Sequence, residues 1–441
     1  MTSLRLSAAL LAVAGAGLAP AALAQDPVEQ RLNRLETENR ELRARLDALD
    51  AETKANAAGF DALGQEFEQF QLGDMIPQIG ESLYGLGPAA SKIYTIDQGL
   101  SVGGYGEFLY ENRENATDRL DALRAILYFG YKFDDHWVLN TEIEIEHGTT
   151  DASSGTTSSG GSVSLEFGYL DYLHTDALNA RAGVVLIPMG LINELHEPIT
   201  FLGAQRPLVE SRIIPTTWRA PGAGLHGSAG GFTYRGYVVS AIDGEEFGAG
   251  GLRGGRQKGN RTAADDLAVT GRLDWTDTPG LIVGGSVYHG DTGQDNVDGS
   301  GNPIPDLQTT IVDVHADWKP GPFWFRGVWA SAWVDDTAAL FAANGSAVAR
   351  RLDGFYVEGG FDVMSELAPD SGQALYPFVR YEETDTQARM DPNVPRTPGQ
   401  HEKVWTFGAH WRPIPQVVMK ADFQVYDVAG DQFNFLLGYV S

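Results

Sequence analysis

Cysteine is absent from the 441 residues, which excludes a disulfide framework, a thiolate metal centre and a cysteine nucleophile. Basic residues are scarce: 32 Lys and Arg stand against 59 Asp and Glu, a formal charge of −27. Such a chain does not wrap nucleic acid by bulk electrostatics, so no nucleic-acid partner is expected. Long apolar runs are missing after the first two dozen residues, and nothing downstream approaches the ~20 residues that a spanning helix needs. Catalytic motifs are missing too. There is no Gly-x-Ser-x-Gly elbow and no His-Glu-x-x-His pair, and the nine His are scattered. His147 and His196 adjoin Glu146 and Glu197, but a polar pore or loop role explains them more simply than acid–base chemistry. Asp291, Asp295, Asp298 and Asn302 share a Gly-rich loop without EF-hand spacing, and Gly250 to Gly255 lacks the Lys-Ser/Thr that completes a phosphate cradle. No enzyme activity, metal or cofactor is expected.

What the chain does contain is 43% apolar and 21% charged residues, 53 Gly and 10% aromatics, the balance of a folded, strand-rich protein. Met1 to Ala24 has Arg5, an apolar stretch from Leu6 to Leu18 and the small-residue exit Ala22-Leu23-Ala24. This is the build of a secretory signal, with cleavage after Ala24. Residues 25–70 change texture to Glu, Arg, Leu and Ala. Val28, Leu32, Leu35, Asn39, Leu42, Leu46 and Leu49 recur at alternating spacings of four and three, the seam of a coiled-coil stalk with one buried amide that sets register. The flanking pairs Arg31 with Glu36, Glu38 with Arg43 and Arg45 with Asp50 are all opposite in sign. Leu32, Leu35, Asn39, Leu42, Leu46 and Leu49 are therefore the expected oligomerisation residues; the seam alone leaves dimer and trimer open. Residues 71–98, rich in Gly and Pro, read as linker.

From residue 99 to 441 the period becomes two. Trp137, Leu139, Thr141, Ile143 and Ile145 alternate with Asn140, Glu142, Glu144 and Glu146, and a carboxylate row faces neither lipid nor a dry core. Sixteen such runs follow one another, and short connections such as Asp134-Asp135 alternate with long ones such as 188–221 and 335–350. Alternating turns and loops, with Trp329, Trp333, Trp405, Phe407 and Trp411 on the apolar parity, predict an all-β, transmembrane antiparallel barrel of about sixteen strands behind the helical stalk.

Signal, stalk, strand number and a longest loop after the fifth strand together resemble the trimeric bacterial porins. Gly103-Gly104-Tyr105-Gly106-Glu107, opening the first strand, resembles the phosphate-selective porin O and P family over Leu100 to Ser441. Phe433, Phe435, Leu437 and Tyr439 fit the assembly signal of outer-membrane barrels, although Ser441 replaces the usual terminal aromatic. The resemblance implies a homotrimer in outer-membrane lipid, the stalk in the periplasm, and a water-filled channel for small hydrophilic solutes or ions, including anions such as phosphate. The alternative is an anchor whose coiled coil tethers the membrane to the cell wall.

The expected lumen wall carries Arg124, Arg181, Arg235, Arg272, Arg326 and Arg380 with Glu142, Glu144 and Glu146, and rings of charge are how a pore sorts ions. Lys132, Arg412, Lys420, Asp274, Asp313, Asp317, Glu358, Asp362, Glu382 and Asp422 share that parity. The 188–221 loop is too apolar to lie outside and is expected to fold inward. There it forms the constriction with Glu194, Glu197, Arg206, Glu210, Arg212 and Arg219, its glutamates facing wall arginines such as Arg124 and Arg181.

Overall fold

The computed structural model describes residues 34–37, 39–51, 53–54, 82–148, 160–297, 301 and 303–441. The expected signal, Leu32 of the seam, the end of the stalk and the start of the linker lie outside the described residues. Residues 34–37, 39–51 and 53–54 are helical, and they belong to a unit separate from the rest of the chain. Leu35, Leu42, Leu46 and Leu49 are each at least 60% exposed on that helix.

The second unit is a closed antiparallel barrel of sixteen strands. They are β1 (Gly99–Arg113), β2 (Arg119–Lys132), β3 (Trp137–Glu146), β4 (Ser162–Thr175), β5 (Leu178–Leu186), β6 (Arg219–Ala229), β7 (Phe232–Ser240) and β8 (Leu267–Trp275), then β9 (Leu281–Gly290), β10 (Thr309–Trp318), β11 (Phe323–Val334), β12 (Arg351–Phe361), β13 (Ala374–Arg389), β14 (His401–Ile414), β15 (Val417–Tyr426) and β16 (Gln432–Val440). Every neighbour in space is a neighbour in sequence except at the seam, where β1 pairs with β16 from Tyr105↔Val440 to Arg113↔Gln432. Ser441 extends that seam, its N–H donating to the Gly104 carbonyl at 2.8 Å. Closure leaves no unpaired edge, which is what permits a sheet to sit in hydrocarbon.

The alternation read from sequence sorts inside from outside. Val138, Asn140, Glu142 and Glu144 on β3 are buried, whereas Trp137, Ile143 and Ile145 are exposed. Trp329, Trp333, Trp405, Phe407 and Trp411 all point outward, the wall of a membrane-spanning barrel. Short turns gather at one rim. At the β2–β3 turn the Asp134 carboxylate accepts from the N–H groups of Trp137 (2.7 Å) and His136 (2.8 Å), and these donors hold its pKa below the usual carboxylate range.

Two expectations need correction. Strand β12 ends at Phe361, so Asp362 is not a wall charge; it accepts from the N–H groups of Met364 and Leu375 in the connection to β13. The last part of the expected linker is not a free tether either: Leu86, Ala89, Ala90, Ser91, Lys92 and Ile93 are buried, and Ala90–Tyr94 form a 3-10 turn.

Candidate functional site

The longest loop between adjacent strands, 187–218, joins β5 to β6 and folds into the barrel. Its apolar side chains explain why: Ile187, Met189, Leu191, Ile192, Val209, Ile213, Ile214 and Trp218 are almost wholly buried, and each would lose that burial on the outer surface. One amide closes its neck. Asn193 donates to the carbonyls of Ile187 (2.7 Å) and Trp218 (2.8 Å) and accepts from the Trp218 N–H (2.6 Å). Glu210 fixes the interior of the loop, accepting from the N–H groups of Leu191 and Ile192, both at 3.0 Å, and from the Tyr356 hydroxyl at 3.2 Å.

Across the lumen the loop meets the wall on the β8 to β16 side. The Gly203 carbonyl accepts from Lys420 Nζ at 2.9 Å, the Ala204 N–H donates to Asp422 at 2.6 Å, and the Leu208 N–H donates to Glu382 at 2.5 Å. The Thr200 carbonyl accepts from Arg326 at 2.6 Å, and Gln205 donates to Glu111 of β1 at 2.5 Å.

The wall itself is a set of neighbouring ion pairs. Arg181 grips Asp171 through both oxygens, at 2.7 and 2.9 Å. Arg124 pairs with Glu107 at 2.8 Å, with Glu144 at 3.7 Å, and Arg219 with Glu166 at 2.5 Å. Arg235 and Arg272 share Asp274, at 2.9 and 2.7 Å, while Arg326 meets Asp317 and Arg380 meets Glu382 at 3.1 Å. Removing either member of such a buried pair strands the other charge, so the pairs hold one another in place. Glu142 bonds to His196 Nε2 at 3.2 Å, and Glu146, near the loop-bearing rim, accepts from Ser162 at 3.2 Å.

The loop glutamates do not face Arg124 and Arg181. Glu194 binds Arg235 at 2.9 Å and Arg272 at 3.4 Å; Glu197 accepts from the main chain of Ala89 and Ala90; Glu210 is used within the loop. The reason is register: Arg124 and Arg181 already have Glu107 and Asp171 beside them on adjacent strands. Arg206 is only partly buried, and its Nη2 finds no acceptor among the described residues. Arg212 is also partly buried, and Arg219 opens β6.

Sequence reasoning missed a basic group on the β7–β8 connection. Arg253 donates to the Thr216 carbonyl and Arg256 to the Thr217 carbonyl, beside the neck of the inserted loop. Burial, and then the adjacent Arg253, push the Arg256 guanidinium below its usual range; burial, and then Arg206, do the same to Arg253. The signal was there in the three cations of residues 253–258, but only the fold brings Arg253 near Arg206.

A barrel closed on itself, apolar outside and charged inside with one loop folded into its bore, defines the porin-like class of membrane β-barrels. The chain belongs to the same family as an uncharacterized protein of Aquifex aeolicus (strain VF5), to which it is 35% identical over 373 residues, 81% of this chain and 82% of that one. No family model matches the chain. OmpF of Salmonella typhi, solved in complex with daunomycin, is similar in fold, with a TM-score of 0.50 and 14% identity over 78% of this chain and 98% of its own. The anion-selective porin of Comamonas acidovorans has a TM-score of 0.46 at 11% identity, over 78% of this chain and all of its own.

Proposed function

We propose that the protein is an outer-membrane channel for the passive diffusion of small hydrophilic solutes, with an outer mouth that favours anions. The observation that carries this reading is the lumen wall, where buried Arg, Asp and Glu line the inner face of all but a few strands. A barrel built only to anchor has no need of so many charges along its inner face. Arg206, Arg253 and Arg256 support the anion preference, since Arg253 lies close enough to Arg206 and to Arg256 for like-charge repulsion, which an oxyanion beside them relieves. The resemblance of Gly103 to Glu107 to the phosphate-selective porins agrees with it. The exposed leucines of the N-terminal helix suit a coiled coil, which the porin resemblance makes one of three chains in the periplasm, and Met1 to Ala24 suits export.

Planar-bilayer conductance of the purified protein, followed by reversal potential in a salt gradient, tests the channel and then its preference. A second reading, the membrane anchor, has one observation in its favour: the wall charges are mostly buried rather than wet. Absence of conductance in every form of the protein would select it.

A further inference from the structure

The wall charges are covered by two segments, and they divide the bore between them. The inserted loop takes the β8 to β16 side and reaches past it to Arg235 of β7 and, through His196, to Glu142 of β3. The other side is taken by residues 84–96, the stretch just ahead of β1. The Tyr84 ring lies 5.2 Å from that of His226 on β6. The Ala90 carbonyl accepts from Asn140 of β3 at 3.1 Å. The Tyr94 hydroxyl donates to Asp171 of β4 at 2.6 Å and accepts from Arg181 of β5 at 3.2 Å. Ile93 packs over Gly130, and the Ile96 carbonyl accepts from Lys132 at 2.8 Å, both on β2. One carboxylate joins the two segments: Glu197 of the loop accepts from the N–H groups of Ala89 (2.9 Å) and Ala90 (3.0 Å). Gly87 leaves room for it, because a Cβ there would lie 2.4 Å from Glu197 Oε1.

The two segments are held differently. The loop is tied at both ends to strands and clamped by Asn193 and Glu210. Residues 84–96 pair with no strand, and their only regular structure is the five-residue 3-10 turn. They can leave without breaking a ladder hydrogen bond. The wall behind them is also unlike the floor of a permanent plug: Asn140, Asp171, Arg181 and His226 are polar and buried, costly to keep dry and inexpensive to wet.

We propose that residues 84–96 are a displaceable plug that closes the bore beside the inserted loop, and that the Glu197 carboxylate is its latch. This rests on the channel reading and adds to it a closed resting state. When the plug leaves, water replaces its contacts with Asn140, Asp171 and Arg181, and a polar path opens on the β2 to β7 side.

The test uses the full chain, which has no cysteine to interfere. In the double variant Ile93→Cys/Gly130→Cys the two Cβ atoms would start 3.0 Å apart, a small shift from the ~3.8 Å of a disulfide. A second variant, Glu197→Gln, keeps the shape of the latch and removes its charge. Expected are low bilayer conductance for the wild type, a rise on the order of tenfold in open-channel events for Glu197→Gln, and silence of the oxidised cysteine variant that reduction reverses. The heat-dependent mobility shift of each variant in detergent verifies that its barrel has formed. Full conductance of the wild type, unchanged by the oxidised lock or by Glu197→Gln, would overturn the plug and leave the channel standing. No conductance in any form, including a deletion of residues 84–96 that still shows the mobility shift, would overturn both.

Discussion

Glu210 offers a quantitative check on the inserted loop. Its carboxylate is completely buried and accepts from two main-chain N–H groups and the Tyr356 hydroxyl. In Glu210→Gln one oxygen becomes an amide that can only donate, so one of the two N–H groups, Leu191 or Ile192, is left facing another donor. An unmet buried donor costs about 1–3 kcal/mol. Glu210→Ala removes both acceptors and leaves a cavity, for about 3–5 kcal/mol. The barrel's strands do not depend on this carboxylate, so the cost falls on opening of the loop rather than on global unfolding. Hydrogen exchange at Leu191 and Ile192 should then quicken by about tenfold in the Gln variant and on the order of a thousandfold in the Ala variant. Trypsin cleavage after Arg212 should follow the same order. Equal exchange at Leu191 in wild type and Glu210→Ala would refute the assignment of Glu210 as the clamp.

Other expectations follow from the same geometry. Arg206→Ala and Arg256→Ala should each shift the reversal potential toward cations, more strongly in dilute salt where screening is weak; no shift at low ionic strength would remove these residues from the conduction path. Gly183 has a φ of +142°, and a Cβ there would sit 2.4 Å from the Gly168 carbonyl oxygen; Gly183→Ala should lower the yield of heat-shifted barrel through strain of about 1–3 kcal/mol, and undiminished yield would contradict the strand register. Leu42→Glu with Leu46→Glu should abolish crosslinked oligomers of the stalk; an unchanged oligomer would show that other contacts assemble the protein.

The local periodicity of the chain determined most of the architecture. An alternation of two, punctuated by turn residues, needs only neighbouring positions, and all sixteen runs became strands in order. The apolar content of the 188–221 loop was visible as well: Phe201, Leu202, Ile213 and Trp218 have no place on a wet surface, and all four are buried. Which charges meet was not legible. Arg272 finds Glu194 across 78 positions of sequence, and Lys420 finds the Gly203 carbonyl across 217. Such meetings depend on the register and closure of the whole barrel, which no short window contains. Nor was the packing of residues 84–96 legible. Gly85, Gly87 and Pro88 read there as turn-rich linker, yet in the tertiary structure Leu86, Ala89, Ala90 and Ile93 are buried and Gly87 lets the main chain pass beside Glu197.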